Sequence, residues 1–449
     1  MQRTVADRDG DDHAKVVEAV QPGRGLLDAW FLRGNRLSRA VLTGFALLTP
    51  SCAGSVLRHA PAHSYTVHDP QFRRTMGVFC GPAIVEGNHV DALHNGNEIF
   101  PAMLEAIRSA TSSLTFATYI YWSDEIGHEF AAAFADRARA GVNVHILVDW
   151  VGSGRMNEDD IELMEQAGVE LHKFNPPAWY SFRRLNNRLH CKILVVDGRI
   201  GFTGGVGIAG LWTGDAQDSE HWRDSHFRVA GPVVAQLQAA FMDGWVKTTG
   251  RVLDGIDYFP PLEPAGEQPA QVFSSSPSGG SESMEMMYLL AIAAAERSIH
   301  LSSAYFIPDD LAREALVQAL HRGVAVNIIT PGECMDVETV RRASRALWGD
   351  LLEAGARILE YEPTMFHCKV LVVDEFFVSV GSTNFDPRSF RLNDESNLNV
   401  YDHGFARELI ATFERDAARA RVIDLEAWRN RPWREKLVEH GAALLESLL

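Results

Sequence analysis

The sequence predicts an α/β protein with two tandem α-β-α domains, related by a pseudo-two-fold axis and sharing one site at their interface. The first observation is a repeated pattern. H-x-K-x-x-x-x-D occurs twice, as HCKILVVD from His190 and as HCKVLVVD from His367. The second observation is that strands and helices alternate in the same order in both halves, which is typical of a partly parallel sheet covered by helices on both faces. The wide separation of the two copies indicates duplicated domains rather than short solenoid repeats.

Hydrophobic spacing predicts the elements of the first half. Apolar residues recur at helical intervals in 97–110, whereas the apolar run 114–122 is typical of a buried strand. Gly141 and Gly168 each end a helix. The predicted order is helix 97–110, strand 114–122, helix 129–140, strand 142–148, helix 159–167 and strand 192–196.

The second half repeats this order. ARAGVNVHILV in the first half corresponds to LHRGVAVNIIT in the second, and each copy carries a helix-ending glycine before a strand. The C-terminal stretch is predicted to be helical. The predicted order is helix 284–296, strand 298–306, helix 311–322, strand 324–330, helix 337–354 and strand 369–373.

Composition and proline clusters predict the domain boundaries. Four prolines between positions 260 and 269 mark a linker. The charged N-terminal stretch lacks apolar periodicity, as tails do. The predicted organisation is a tail at 1–60, a first domain at 61–253, a linker at 254–270, a second domain at 271–403 and C-terminal helices at 404–449.

An apolar segment inside the tail permits two interpretations. Three arginines precede the short run 40–48, and small residues ending at Cys52 follow it, an order that resembles a secretory signal. The alternative is a disordered tail with a helix that lies on a membrane surface. The run is too short to span a bilayer.

Charge and cysteine content narrow the function. The formal net charge of −17 argues against nucleic acid as a partner, because proteins that bind the phosphate backbone carry basic surfaces. The five cysteines do not suggest a disulfide framework, and Cys and His residues show no zinc-site spacing. Gly205, Gly207 and Gly210 spell G-x-G-x-x-G, but alignment with the second motif explains this turn without a dinucleotide. We therefore expect neither a metal nor another cofactor.

Further matches between the halves carry a resemblance to a known family. A tight turn follows each motif, Gly204-Gly205 in one copy and Gly381-Ser382 in the other, and a carboxylate follows later, Asp224 and Glu395. With the run GSTNFDPRSFRLNDESNLNV, these residues resemble the phospholipase D superfamily, and within it the bacterial cardiolipin synthases. The resemblance implies two phospholipase D-like α-β-α domains with the active site at their interface.

The resemblance also implies a reaction. A phosphatidyl group would pass between phosphatidylglycerol molecules through a phosphohistidine intermediate, giving cardiolipin and glycerol. One histidine attacks phosphorus and the other transfers protons, and the resemblance implies His190 for attack and His367 for proton transfer. Lys192 and Lys369 share a strand face with these histidines and would oppose the charge on the phosphoryl oxygens.

The remaining site residues follow from the same resemblance. Asp224 and Glu395 match carboxylates that orient the histidines. Asp197 and Asp374 complete the two catalytic motifs, where the resemblance implies that they hold turns. The residues expected at the catalytic centre are His190, Lys192, Asp197, Asp224, His367, Lys369, Asp374 and Glu395.

The two copies differ at the positions expected to bind substrate. Ser382 and Asn384 match small polar residues near the phosphate, whereas Gly205 and Gly207 occupy the equivalent positions in the first half. We therefore expect an asymmetric site, with Gly205, Ser382 and Asn384 at the substrate-binding positions.

The expected partner is a phospholipid in a membrane, with peripheral association at the bacterial cell membrane and no nucleic acid. Trp428 and Trp433, beside several arginines, either contact lipid headgroups or pack on the domain. Arg183, Arg184 and Arg188 either meet anionic headgroups or are solvated loop charges. A hydrolytic phospholipase D that uses water as acceptor is the main alternative, followed by a nuclease and a non-enzymatic membrane scaffold.

Overall fold

A single fifteen-stranded sheet runs through the residues that the computed structural model describes, which are 57–444 without 58, 63, 178–185 and 278–282. The predicted tail lies outside this part of the chain except for a few of its last positions. The possible signal segment at 33–52, which contains the apolar run, lies wholly outside it, as do Arg183 and Arg184.

The first half contains seven strands of this sheet and five α-helices among its described residues. A π-helical turn at Met76–Cys80 and a 3-10 turn at Gly210–Trp212 accompany them. In chain order the elements are α1 (Pro70–Thr75), β1 (Val85–His94), α2 (Asn95–Ser109), β2 (Ser113–Thr118), α3 (Glu125–Arg139), β3 (Asn143–Asp149), α4 (Glu158–Ala167), β4 (Glu170–Phe174), β5 (Ile193–Val196), β6 (Ile200–Gly204), β7 (Ser225–Ala230) and α5 (Val234–Thr249).

The second half follows the same plan and ends in additional helices. In chain order its described elements are β8 (Gln268–Ser275), α6 (Ser283–Ala293), β9 (Ser298–Ser303), α7 (Asp310–His321), β10 (Ala325–Pro331), α8 (Glu338–Ala346), α9 (Gly349–Glu353), β11 (Arg357–Tyr361), β12 (Lys369–Val373), β13 (Phe377–Gly381), α10 (Pro387–Arg391), β14 (Glu395–Tyr401), α11 (His403–Ala417), β15 (Ala420–Val422), α12 (Leu425–Arg429) and α13 (Trp433–Ala443).

The strand order repeats outward from the middle of the sheet. The first half runs β1-β7-β6-β5-β2-β3-β4 and the second runs β8-β14-β13-β12-β9-β10-β11-β15. The two halves join where β1 pairs antiparallel with β8. β2, β3 and β4 are parallel, as are β9, β10 and β11, while the motif strands β5 and β12 pair antiparallel with their neighbours. The predicted two-domain α/β fold is confirmed.

Side chains alternate between the two faces of the motif strand β5. Leu194 and Val196 join a core formed with α2, α3 and α4, whereas Ile193 and Val195 join a core formed with α5 and α11. This second core contains residues from both halves. Helices therefore cover both faces of the sheet. The helical layer formed by α5 and α11 draws one helix from each half.

One predicted helix is broken. The single helix expected at 337–354 is observed as α8 and α9, separated at Leu347 and Trp348. The Trp348 side chain is fully buried, and a Cβ on Gly349 would lie 2.7 Å from the Trp428 ring. Tertiary packing of two tryptophans therefore interrupts a run whose local spacing favours one continuous helix.

Packing also shifts the boundaries between the predicted segments. Val67, Phe72 and Met76 fall within the sequence-predicted first domain, yet they are fully buried in the core of the second half. The connection between halves ends at β8, so the last three positions of the predicted linker belong to a strand. None of the helices in the described ranges is long and apolar enough to cross a bilayer.

Candidate active site

The two motif histidines lie just before β5 and β12, where the halves meet. Each histidine segment pairs through its backbone with the residue that precedes the other half's carboxylate. The His190 amide donates to the Asp394 carbonyl at 2.9 Å, and the His367 amide donates to the Arg223 carbonyl at 2.8 Å. Both histidines line the same pocket.

The carboxylates cross between the halves. Glu395 of the second half contacts Nδ1 of His190 with both oxygens at 2.9 Å. Asp224 of the first half contacts Nδ1 of His367 at 2.7 Å. Both carboxylates are fully buried. A carboxylate at Nδ1 holds the proton on that nitrogen, which leaves Nε2 as the lone-pair atom on each ring.

Burial keeps both imidazoles neutral in the free protein. It lowers the pKa of His190 to about 4 and that of His367 to about 3, from an ordinary value of 6.5. The crossed carboxylates oppose this shift. Burial by itself would raise the pKa of Asp224 and Glu395, but the neighbouring imidazoles and lysines hold it below the ordinary value.

The motif lysines bring two cations to the same place. Lys192 and Lys369 are almost completely buried, and each donates to the backbone carbonyl of its own motif histidine at 2.6 Å. Burial lowers the pKa of Lys192 to about 8 and also lowers that of Lys369. The nearby carboxylates oppose this shift and favour the charged form of both lysines.

Asp197 and Asp374 hold the ends of the neighbouring strands. The Asp197 carboxylate accepts backbone amides from Thr111, Ser112 and Ser113, at distances of 2.8 to 3.1 Å. Asp374 accepts the equivalent amides of 296–298 at 2.7 to 2.8 Å. Neither carboxylate lines the pocket.

The serine of the second turn supports a carboxylate. Ser382 Oγ donates to Glu395 at 2.5 Å. In the first half Gly205 leaves room for Asp224, because a Cβ there would lie 2.2 Å from its Oδ1. Asp224 instead accepts a hydrogen bond from the Trp212 indole at 2.9 Å. Trp212 was not predicted, because it lies outside the motifs.

The pocket has unlike walls and a cavity volume of about 130 Å³. Trp212 and Trp222 flank His367, with ring centroids 5.4 and 5.5 Å from the imidazole. Tyr119 lies 5.4 Å from His190. Sequence spacing did not identify these aromatic residues. Of the polar positions that the second half adds, the lining includes Asn384, Asp386, Arg388, Ser389 and Asn393.

Two further sequence-predicted features have definite positions. Asn384 lines the pocket, as expected, and its first-half counterpart Gly207 packs close to Ile120 and Trp212. Arg188 is buried and forms an ion pair with Asp149 at 3.3 Å. It is therefore not a solvated loop charge. Over the described ranges, no group of three or more His, Cys, Asp and Glu side chains is arranged to hold a metal.

Comparison with known proteins places this geometry in a family. The family model described as "Cardiolipin synthase, PLD-like domain" matches residues 103–237 and 288–417. The cardiolipin synthase of Geobacillus kaustophilus is 36% identical over 80% of this chain and 72% of its own length. The minor cardiolipin synthase ClsB of Bacillus subtilis is 33% identical over 78% of this chain and 86% of its own. The chain therefore belongs to the cardiolipin synthase PLD-like family, and it is an enzyme of the phospholipase D superfamily of the phosphatidyltransferase type.

A solved structure shares the fold. The phosphatidylserine synthase of Haemophilus influenzae Rd KW20 superposes with a TM-score of 0.62 over 85% of this chain and 100% of that chain, at 12% sequence identity. At this identity the similarity concerns the fold alone.

The crossed hydrogen bonds can be tested one at a time. We expect Glu395→Gln to remove the downfield Nδ1 proton signal of His190 while leaving that of His367, because each carboxylate holds the opposite half's imidazole. Asp224→Asn should do the reverse. Each variant should also lose about 10²- to 10⁴-fold in turnover, as when a triad carboxylate becomes an amide. Nitrogen-edited NMR of histidine-labelled protein reports the signals, with His190→Asn and His367→Asn for assignment. Loss of the signal from the same half would contradict the crossed arrangement.

Proposed function

We propose that the protein transfers a phosphatidyl group from one phosphatidylglycerol to another, forming cardiolipin and releasing glycerol through a phosphohistidine intermediate. The observation that carries this proposal is the pair of carboxylate-held histidines that line one lysine-containing pocket. The relatives named cardiolipin synthase support the choice of lipid. Cardiolipin formation needs an acceptor alcohol that is itself a phospholipid.

The charges of the site favour the uptake of one proton by a histidine when the phosphodiester substrate binds. Lys192 and Lys369 balance the ionised carboxylates Asp224 and Glu395, so the buried site is close to neutral while both histidines are neutral. A phosphodiester adds one negative charge, which raises the pKa of the adjacent imidazoles. One histidine then takes up a proton and becomes the general acid.

The first step forms the covalent intermediate. Nε2 of His190 attacks phosphorus, a phosphorus–nitrogen bond forms, and the bond from phosphorus to the glycerol oxygen breaks. Protonated His367 gives its Nε2 proton to that leaving oxygen. Lys192 and Lys369 oppose the charge on the phosphoryl oxygens inside a pocket that excludes most water.

The second step reverses the first with a different alcohol. Neutral His367 accepts the proton of the glycerol hydroxyl of a second phosphatidylglycerol. The resulting oxygen attacks phosphorus and displaces Nε2 of His190, which yields cardiolipin and an enzyme with His367 protonated. Release of cardiolipin and of this proton restores the free enzyme. Water in place of the second lipid would give phosphatidic acid, so exclusion of water separates a synthase from a hydrolase.

Lipid product analysis tests the proposed reaction. Purified protein with phosphatidylglycerol vesicles should form cardiolipin and glycerol in equal amounts. The reaction should proceed in EDTA, since lysines rather than a metal neutralise the phosphoryl charge. Lys369→Ala should reduce the rate by several orders of magnitude, and Asn384→Gly by about tenfold to a thousandfold.

Other products identify the alternatives. Phosphatidic acid alone would establish a hydrolase, and lipid binding without product would indicate a scaffold. A rate that EDTA abolishes and Mg²⁺ or Zn²⁺ restores would contradict the lysine-based mechanism.

The covalent intermediate has its own test. Wild-type protein mixed with labelled phosphatidylglycerol and quenched in alkali should carry label on His190, because phosphohistidine survives base. His367→Ala should form this adduct slowly, and a p-nitrophenyl leaving group, which needs no proton, should restore its formation. His190→Ala should form none with either substrate. Label on His367 in the wild type would reverse the two roles.

The C-terminal helix supports peripheral membrane association. Trp433 and Leu437 of α13 and Leu444, which directly follows it, are 68%, 66% and 84% exposed and recur at helical spacing along one face. This helix packs on α8, and Asp336, which lies just before α8, lines the catalytic pocket. Trp428 serves a different purpose, since its indole donates to the Arg345 carbonyl at 2.9 Å and packs on the domain.

Vesicle binding tests this surface. Leu437→Asp should weaken co-sedimentation with phosphatidylglycerol vesicles about tenfold or more, because a charge replaces an apolar side chain that enters the lipid interface. Ile256→Asp is the matched control, since Ile256 is 70% exposed in the connection between the halves. Equal binding by both variants would show that α13 is not the contact.

A further inference from the structure

Arg223 directly precedes the catalytic carboxylate Asp224 and forms a buried ion pair. Its guanidinium donates to both oxygens of Asp416 at 2.9 Å. The same guanidinium donates to the Asp224 backbone carbonyl and, at 3.1 Å, to Ser225 Oγ. The Arg223 carbonyl meanwhile accepts the His367 amide. One side chain thus connects the backbone beside Asp224 and His367 to helix α11.

Asp394 occupies the equivalent position before Glu395 and carries the opposite charge. Its carbonyl accepts the His190 and Cys191 amides at 2.9 Å each. Its carboxylate lies 3.5 Å from the ammonium group of Lys247, on helix α5. Asp394, whose carbonyl binds the His190 segment, is therefore connected to α5 by an ion pair, as Arg223 is connected to α11.

These outer ion pairs repeat the crossing of the catalytic pairs. Arg223 belongs to the first half, and its partner Asp416 lies on the long helix that follows the second carboxylate strand, β14. Asp394 belongs to the second half, and Lys247 lies on the helix that follows the first carboxylate strand, β7. The charges are reversed between the two ion pairs, because the residue before the carboxylate is an arginine in the first half and an aspartate in the second. The equivalent positions of the two halves therefore keep an ion pair although their residue types differ.

We propose that Asp416 and Lys247 are positioning residues, which act through Arg223 and Asp394 to hold the crossed histidine–carboxylate pairs in reactive geometry. They do not touch the reacting atoms. Each fixes the residue whose carbonyl binds one motif histidine and whose neighbour is the carboxylate that holds that histidine. A rotation of the backbone at Arg223 or Asp394 would therefore move an imidazole and its carboxylate together.

The two connections differ in strength. The Arg223–Asp416 pair is bidentate, and its side chains are 5% and 10% exposed, so it is weakly screened by salt. Lys247 is 26% exposed and divides its contacts among Asp394, Asp243 and Ser276. The outer connection of the His367–Asp224 pair is accordingly less exposed than that of the His190–Glu395 pair.

The exposed connection gives the first experiment. Lys247→Met should lower kcat about two- to fivefold with KM unchanged, which is the range that a partly exposed ion pair can supply. It should also shift the Nδ1 proton signal of His190. Lys247→Arg should restore both. Arg251→Met is the matched control, because Arg251 is a nearby exposed cation that pairs with Glu170 instead.

The buried connection gives the second experiment. Asp416→Asn should lower kcat about 10- to 100-fold, because a small misplacement of catalytic groups is costly, and should broaden or shift the His367 signal. This variant leaves Arg223 with an uncompensated buried charge, which can destabilise the fold. The double variant R223M/D416L removes both charges and should keep the melting temperature while the turnover stays low.

The outcomes separate positioning from stability. A folded R223M/D416L protein with wild-type kcat and an unchanged His367 signal would overturn the proposal for Asp416. An unchanged His190 signal and kcat in Lys247→Met would overturn it for Lys247, whether or not the Asp416 variants fold. The kinetic expectation rests on the proposed function, whereas the NMR signals need no substrate. If no turnover is found in any protein but the signals change as expected, the function fails and the positioning stands.

Discussion

Two buried carboxylates that each hold the other half's histidine are the constraint on which the rest of this structure depends. Asp224 and Glu395 have no exposed surface, and each requires a cationic or hydrogen-bonding partner to remain ionised there. The first half carries Asp224 but its partner is His367, and the second half carries Glu395 but its partner is His190. Separation of the halves would part each imidazole from the carboxylate that holds it. One catalytic site therefore needs both copies of the duplicated domain.

The scaffold brings this crossing about by continuing one sheet through both copies. β1 and β8 pair at the centre, and a core layer against α5 and α11 draws residues from both halves. The histidine segments then meet the opposite carboxylate segments through short backbone bridges. Buried apolar area holds the large elements together, while a small number of backbone hydrogen bonds sets the relative position of the reacting side chains.

Symmetry of position does not extend to chemistry. Ser382 supports Glu395 from within its turn, whereas Asp224 is supported by the Trp212 indole across a space that only Gly205 leaves open. Two tryptophans flank His367, while a tyrosine contacts His190 and the second half adds polar residues to the lining. Unlike walls suit a reaction in which one histidine attacks phosphorus and the other moves protons, because the two rings face different groups of the substrate.

The sequence by itself determined the repeated motif with its histidines and lysines, and the order of most helices and motif strands, since all of these depend on spacing along one chain. Hydrophobic periodicity did not reveal β14, because its buried side chains are largely polar. Only the tertiary structure decided which carboxylate holds which histidine. The same is true of the break between α8 and α9, the packing of Phe72 on the second half, and the arrival of Trp212 and Asp416 near the catalytic residues. The physical reason is that these contacts join residues far apart in sequence, whose meeting is set by the packing of two complete domains and leaves no local pattern.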